Sequence, residues 1–475
     1  MYKFRYQPIY LYFCRKRNTM KQLDNANERF AQLLKNYESN LTGGYFDAEE
    51  MEQLADFYLR RMRVKDAKRA IEFGLKLHPN NIGLETSKVR ILIELNDLEL
   101  ALQHTNSLVA LYPSDIELHL LQTEILLKTK QEVQAEKNCK ELINTYAQED
   151  ETIYLDIAYV YLNNEYYQKA LAFLLIGHTR NVYNINILFE IAFCYEKLNQ
   201  IDNSIATYHR ILDIEPYSDE AWFNLGQVFY SQKDYAKAIE AYEYATAINE
   251  EDAMAWQLLA HAYYQNDNYK KAAETYLMYA EQTEHKATPL LFAAESYEKM
   301  EDFDLALHYY SMVLDMQPNN TEAMVGVGIC HLEKEQFQKS INYFVRAIEL
   351  DPTLSEAWVY LGEAYINLDD PSKGLQAYLT SIELNSNQPE TLTSIGNLYL
   401  EQENFSMALH YYLTAFELDH ETDNIHLFLA MAYYGEENYL PAKEHLQKAI
   451  NVNTEALNLF LEIYPDALQY INLTT

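Results

Sequence analysis

Histidine, cysteine and paired carboxylate side chains are the groups in this 475-residue sequence that could support acid–base, nucleophilic or metal chemistry. The thirteen histidines are scattered, and neither an H-E-x-x-H pattern nor a Cys/His spacing typical of a zinc site occurs. The run VGVGI at residues 325–329 lies inside an amphipathic helical pattern and not in a loop that could bind phosphate. We therefore predict that the protein is not an enzyme and has no catalytic residues, metal site or cofactor.

The elements that would position any functional group follow a fixed period. Residues 221–245 read AWFNLGQVFYSQKDYAKAIEAYEYA, and weaker copies recur every 34 residues along most of the chain. One extra residue lies between the third and fourth copies. A period of this length is typical of repeat architectures. With Asp219 numbered as position 1, position 20 is small in twelve successive copies: Ala67, Ala101, Ala135, Ala170, Ser204, Ala238, Ala272, Ala306, Ser340, Gly374, Ala408 and Ala442.

Each copy has the pattern of two amphipathic helices. Positions 4, 7, 8 and 11 lie on one face of a first helix, and positions 20, 24 and 27 lie on one face of a second. A polar turn separates them, such as SQKD at residues 231–234. One pair cannot bury its apolar face alone, so neighbouring pairs must stack. The pattern predicts an all-α fold of stacked helix-turn-helix units.

The repeated pattern resembles the tetratricopeptide repeat (TPR). The copy that begins at Asp219 carries Trp222, Leu225, Gly226, Phe229, Ala238, Tyr242 and Ala245, and the copy that begins at Ser355 carries Trp358, Leu361, Gly362, Tyr365 and Tyr378. Prolines close five copies: Pro79, Pro113, Pro216, Pro318 and Pro352. The resemblance covers residues 48–456 as twelve repeats, one of them 35 residues long, and repeats two and three depart from the pattern most. It implies a right-handed α-solenoid superhelix.

The two ends differ from the array. Residues 1–19 form a basic leader with five cations and no acid; we interpret Met20 as the true start, with a basic membrane-surface segment as the alternative. Residues 20–47 are predicted to form an N-terminal helix and a linker, and residues 457–475 a capping helix that covers the last repeat. No stretch is long and apolar enough to span a membrane.

The net charge is −34, which argues against nucleic acid as a partner because phosphate binding needs concentrated cations. Two interpretations of this charge stay open. Either the acids solvate the outer, convex face of the array, or they form an acidic groove that attracts basic segments.

Three of the four cysteines occupy repeat positions, with Cys139 at position 24 and both Cys194 and Cys330 at position 10. Such positions indicate packing and not reactivity. Four cysteines cannot form a disulfide framework in a chain of this length. We therefore expect a reducing, cytoplasmic location.

The TPR resemblance implies that the first helices line a concave groove, with positions 2, 5, 9 and 12 facing it. In repeats four to seven these positions carry aromatic rings edged by amides and a histidine, which predicts an exposed binding track for a peptide or helix. The alternative is that the rings pack against one another inside a narrow groove. The candidate peptide-binding residues are Tyr159, Phe189, Phe193, Phe223, Gln227, Tyr230, Gln257, His261 and Tyr264.

We therefore predict a non-catalytic scaffold or adaptor that binds a peptide or helical segment of another protein. A basic segment would suit an acidic groove. The alternative is a non-catalytic subunit of a multi-protein enzyme or assembly complex. The identity of the partner, the oligomeric state and the choice between groove and convex face stay open.

Overall fold

A computed structural model describes residues 23–39, 44–146, 152–420, 422 and 424–469. The basic leader at residues 1–19, with its Cys14, and the last residues 470–475 lie outside these described residues. Within them every regular element is helical, which confirms the all-α class. No helix in this described part of the chain has the length and apolar character that crossing a bilayer requires.

The described residues form 26 α-helices and a short 3₁₀ helix at Ala467–Gln469. The α-helices are α1 (Leu23–Ser39), α2 (Ala48–Arg60), α3 (Val64–Leu77), α4 (Ile82–Glu94), α5 (Leu98–Leu111), α6 (Ile116–Lys128), α7 (Glu132–Tyr146), α8 (Ile153–Asn163), α9 (Tyr167–Arg180), α10 (Ile185–Lys197), α11 (Ile201–Ile214), α12 (Asp219–Ser231), α13 (Tyr235–Ile248), α14 (Ala253–Gln265), α15 (Tyr269–Gln282), α16 (Ala287–Lys299), α17 (Phe303–Met316), α18 (Thr321–Glu333), α19 (Phe337–Leu350), α20 (Ser355–Asn367), α21 (Pro371–Leu384), α22 (Pro389–Glu401), α23 (Phe405–Leu418), α24 (Ile425–Gly435), α25 (Tyr439–Val452) and α26 (Ala456–Ile463).

Helices α2 to α25 follow one another as twelve pairs in the described chain, and the predicted stacking of helix pairs is confirmed. The chain divides into two compact lobes between Val228 and Phe229, which we call the N-lobe and the C-lobe. A second helix packs against its own first helix and the next one, as α9 does with α8 and α10 in the N-lobe and α17 with α16 and α18 in the C-lobe. Successive first helices also touch, as α4 does with α2 and α6 and α18 with α16 and α20.

The turn inside each pair has the same backbone in all twelve described pairs. Its position 15 lies in the left-handed region, with φ between 55° and 65°, although none of these residues is glycine. The next amide donates to the carbonyl five residues earlier, as Asp234 N does to Phe229 O at 3.0 Å, which is a Schellman helix ending. The position-15 residues are Met62, Asn96, Lys130, Glu165, Asn199, Lys233, Asp267, Glu301, Glu335, Asp369, Glu403 and Glu437.

Position 20 is where the two helices of a pair approach each other closely. All twelve small residues there are buried, and Ala238 has no exposed surface. At Gly374 an added Cβ would lie 2.6 Å from Ile366 Cγ1, well inside the usual separation of two carbon atoms. A larger side chain at this position would therefore push the helices apart.

The three described cysteines are free thiols buried inside separate repeats. Burial raises the pKa of the Cys139 thiol to about 11 and the pKa values of Cys194 and Cys330 to about 12. Because the thiolate is the reactive form, these side chains are inert at neutral pH while they stay buried.

An additional helix lies at each end of the array. The Tyr37 ring of α1 is buried and lies 5.7 Å from the ring of Phe46 and 6.4 Å from that of Phe73. At the other end, α26 packs on α24 and α25, and its Phe460 ring lies 5.6 Å from that of Tyr434. These contacts cover apolar surface of the first and last helix pairs.

Candidate protein-binding face

The nine candidate residues are divided between the two lobes. Each is half-buried because side chains of neighbouring helices lie against it, and its role in peptide binding stays a prediction. The N-lobe holds Tyr159, Phe189, Phe193, Phe223 and Gln227, and the C-lobe holds Tyr230, Gln257, His261 and Tyr264.

In the N-lobe the candidate rings already have neighbours. The Phe189 ring centroid lies 6.2 Å from that of Tyr208 on α11. The Phe193 ring lies 6.2 Å from that of Tyr167 on α9, and the Lys197 ammonium sits 5.1 Å from the Phe193 centroid. These contacts orient the rings and leave part of each ring accessible.

The Tyr159 hydroxyl in the N-lobe donates a hydrogen bond to a deeply buried carboxyl group, that of Glu190. Glu190 is only 8% exposed. Burial raises its pKa to about 7, opposed by the Tyr159 hydrogen bond and reinforced by the charge of Glu220. A buried carboxyl group without a cation partner favours its neutral form, because taking an isolated charge out of water is costly.

In the C-lobe, His261 is the centre of a polar and aromatic group. The Tyr276 hydroxyl lies 2.7 Å from His261 Nδ1, and Gln257 Nε2 lies 3.5 Å from His261 Nε2. The His261 ring is also 5.2 Å from that of Phe292. Burial lowers the pKa of His261, which favours the neutral form of the ring.

The two remaining C-lobe candidates each pack on a tyrosine of the following helix. The ring centroids of Tyr230 and Tyr235 are 5.4 Å apart, and those of Tyr264 and Tyr269 are 5.3 Å apart. Burial raises the pKa of Tyr264 to about 12, with the charge of Glu295 as the next cause. Tyr264 is therefore close to a carboxylate of the next repeat.

Four glutamates of the C-lobe belong to one charged environment: Glu298, Glu322 and Glu356 act on Glu295, and Glu295 and Glu298 act on Tyr264. Burial raises the pKa of Glu295 to about 7, and the charges of Glu298, Glu322 and Glu356 raise it further against the opposing effect of Lys299. Among the described residues, no ion pair joins a lysine or arginine to any of the four. With Tyr264 and Tyr360 they form what we call the glutamate–tyrosine face: Tyr264, Glu295, Glu298, Glu322, Glu356 and Tyr360.

Two hydroxyl groups belong to this environment. The Tyr310 hydroxyl donates to Glu298 Oε2 at 2.8 Å, which holds that carboxylate in place. Burial raises the pKa of Tyr360 to about 12, and the charges of Glu356 and Glu298 reinforce the shift. The face thus combines negative charge with aromatic rings and hydroxyl groups, which together can hold an ammonium or guanidinium group.

The glutamates occupy positions that the repeat pattern already indicated. Glu295 stands at position 9, Glu298 at position 12, and both Glu322 and Glu356 at position 2. The candidates taken from the sequence are aromatic rings, amides and a histidine, so none of these four glutamates is among them. Tyr276, at the framework position 24, gave no comparable signal because its side chain also packs between helices.

Four segments of the chain match models of known protein families. Residues 197–279 match the family model described as anaphase-promoting complex, cyclosome, subunit 3. Residues 293–355, 343–376 and 389–421 match three tetratricopeptide-repeat models. The chain is a tetratricopeptide-repeat protein. The TPR resemblance of its sequence is confirmed.

Solved structures of similar proteins include a chain of the APC/C hetero-tetramer Cut9–Hcn1, at 14% identity over 86% of this chain and 94% of that chain, with a TM-score of 0.40. YrrB, described as a TPR protein with an unusual peptide-binding site, is 18% identical over 39% of this chain and 96% of its own, with a TM-score of 0.33. PilF of Pseudomonas aeruginosa is 18% identical over 46% of this chain and 98% of its own, with a TM-score of 0.42. Such TM-scores carry no functional argument. A search of curated proteins gives no match.

Proposed function

We propose that this TPR protein is a non-catalytic scaffold that binds a lysine- or arginine-bearing segment of another protein on the glutamate–tyrosine face. The observation that supports it is the group of four glutamates without an ion-paired cation among the described residues, where Glu295 has a pKa raised to about 7. We place the protein in the cytoplasm, where thiols stay reduced.

The energetic reason is burial reinforced by repulsion. Burial disfavours the charge of Glu295, and the charges of Glu298, Glu322 and Glu356 add to that cost. A cationic side chain placed among the four glutamates offsets it. Charge-assisted hydrogen bonds to ionised carboxylates are about twice as strong as neutral ones, and tyrosine rings add a further attraction for cations.

A peptide-binding assay on the full chain tests the proposal. Glu295→Gln with Glu298→Gln removes two charges and keeps an acceptor for the Tyr310 hydroxyl. The matched control is Glu281→Gln with Glu284→Gln, two exposed carboxylates of the same lobe. We expect a fluorescent lysine- and arginine-rich peptide to bind the wild type and the control, and to bind the first variant at least about tenfold more weakly.

The outcomes are distinct. Equal affinity of both variants for the basic peptide, with folding confirmed by circular dichroism, would show that another surface binds it. An acidic peptide of the same length should bind none of the three proteins. Binding of the acidic peptide would contradict the proposed partner chemistry.

A second candidate function is that of a non-catalytic subunit in a stable multi-protein complex. The match of residues 197–279 to a family of anaphase-promoting complex subunits favours it. A complex isolated from the source cells and washed in high salt separates the two ideas. A peptide scaffold that relies on charge releases its partner because salt screens the attraction, whereas a structural subunit stays assembled.

A further inference from the structure

Three histidines of the C-lobe surround one phenylalanine near the end of the array. Phe416 belongs to α23, and its ring centroid lies 4.4 Å from His420, 5.2 Å from His426 and 6.4 Å from His445. His426 lies in the first turn of α24 and His445 on α25. The proposed protein-binding face uses none of these residues.

Two of the imidazoles point the same nitrogen at each other. His426 Nδ1 and His445 Nδ1 are 3.0 Å apart, and their ring centroids are 5.0 Å apart. The Tyr433 ring stacks on His445 at 5.7 Å with an interplanar angle of 28°. The aromatic neighbours on both sides therefore hold the two rings in this arrangement.

We propose that His426 and His445 form a two-nitrogen binding site for a divalent transition-metal ion, with a preference for Cu²⁺ and Ni²⁺. Metal–imidazole bonds are about 2.1 Å long, so two nitrogens 3.0 Å apart subtend an angle of roughly 90° at an ion bound to both. That angle is the cis angle of square-planar or octahedral coordination. A tetrahedral ion would need a separation of about 3.4 Å with the same bond lengths.

An imidazole binds a metal ion through a nitrogen that carries no hydrogen. A neutral ring carries one hydrogen. When that hydrogen is on Nε2 in both rings, both Nδ1 lone pairs are available to the ion, and binding releases no proton.

Without an ion, the same two atoms form an ordinary hydrogen bond in which one Nδ1–H donates to the other nitrogen. Within the described residues, no group of three or more His, Cys, Asp or Glu side chains is arranged to hold a metal. Water would therefore complete the coordination. Lys448 opposes binding because its charge lies close to both rings.

Calorimetric titration of the tag-free full chain tests the site. We expect one Cu²⁺ or Ni²⁺ per chain, weaker binding of Zn²⁺ and no binding of Mg²⁺. His426→Gln and His445→Gln should each weaken Cu²⁺ binding at least about tenfold. The control His410→Gln changes an exposed histidine of α23 and should leave the affinity unchanged. Lys448→Gln should tighten binding, since it removes the opposing charge.

Electron paramagnetic resonance of the wild type with Cu²⁺ supplies a measurement that does not depend on how the variants fold. Hyperfine coupling to two imidazole nitrogens is the expected signature. A wild type that binds no Cu²⁺, or a folded His445→Gln variant with unchanged affinity, would show that the pair is a hydrogen bond and nothing more.

Discussion

Groove positions carry acids in both lobes, and in the first three repeats of the N-lobe one arginine pairs with two of these acids. Arg90 of α4 forms ion pairs with Asp56 of α2, at 3.9 Å, and with Glu117 of α6. Arg90 stands at position 9 of its repeat, which is the position that Glu295 occupies in the C-lobe. A single residue type at one repeat position therefore decides whether the surrounding carboxylates pair within the protein or stay available to a partner.

This contrast shows why the net charge is a poor guide to binding. Acids that pair with a neighbour lose most of their attraction for a cationic ligand, whereas unpaired acids on a partly buried surface keep it. The overall charge of −34 counts paired and unpaired acids equally. Only the positions of neighbouring cations show which acids are paired.

The largest expected effect on peptide affinity comes from placing an arginine at position 9 in the C-lobe, where the N-lobe has Arg90. Glu295→Arg places a cation at position 9 beside Glu298, Glu322 and Glu356. It should pair with them as Arg90 pairs with its neighbours, and binding of the basic peptide should fall by about 100-fold or more because like charges now meet. Fluorescence anisotropy measures this. Glu281→Arg, an exposed change on α15, is the control, and similar losses in both variants would make the effect one of overall charge.

The second effect concerns stability in the N-lobe. Glu190→Gln keeps an acceptor for the Tyr159 hydroxyl and removes a buried charge whose pKa is raised to about 7. At pH 8 we expect the free energy of unfolding to rise by about 2 kcal/mol. Urea unfolding of the two proteins at pH 8 and pH 5 checks this. The difference should shrink at pH 5, where the native carboxyl group is already protonated.

The third effect is the pH dependence of binding in the C-lobe. The folded-state pKa of Glu295 is raised to about 7 from an ordinary 4.5, so the native protein keeps this proton in the window between those values. Its contribution to stability is therefore lost as the pH rises from about 4.5 towards 7. A cationic ligand favours the ionised form, so peptide affinity should increase by about tenfold between pH 6 and pH 8. A Glu295→Gln protein should show a flatter profile; an equally steep one would assign the effect to another group.

The smallest expected effect comes from removing the arginine at position 9 of the N-lobe. Arg90→Gln leaves Asp56 and Glu117 without their ion pairs, and because these groups are partly exposed the stability loss should be about 0.5–1 kcal/mol. The same change should give the N-lobe measurable affinity for the basic peptide. Lys88→Gln is the matched control, since within the described part of the chain Lys88 pairs with Glu85 of its own helix alone, at 3.6 Å. If Arg90→Gln gains no affinity for the basic peptide, then Arg90 is not what prevents the N-lobe acids from binding it.

The fold could be predicted from the sequence because its determinants are local and recur. Small residues such as Ala238 and Gly374 mark the helix contacts at a constant spacing, and the pattern around Trp222 specifies two helices in each period. The helix pairs follow from that spacing. The left-handed residues at position 15, such as Lys233 and Glu301, could not be predicted from residue type, since neither is a glycine or an asparagine.

The site was less predictable because it depends on which residues of different repeats come together. Glu322 and Glu356 are one period apart, and in the sequence each has the pattern of an ordinary solvent-exposed acid. His426 and His445 stand at positions 4 and 23 of one repeat, and no motif marks that spacing. In both cases the signal is the packing of neighbouring helices, which brings together side chains that are separate in sequence.

The buried thiols have a practical consequence for measuring motion. Cys139, Cys194 and Cys330 lie in different repeats, and each is inaccessible until its own helix pair opens. In a Cys14→Ser chain, the rate at which each thiol reacts with a colourless disulfide reagent therefore reports how often the helix pair around that thiol opens. Mass spectrometry of timed samples would assign each rate to its peptide. The native sequence thus contains three reporters of local opening, two in the N-lobe and one in the C-lobe, and no label has to be introduced.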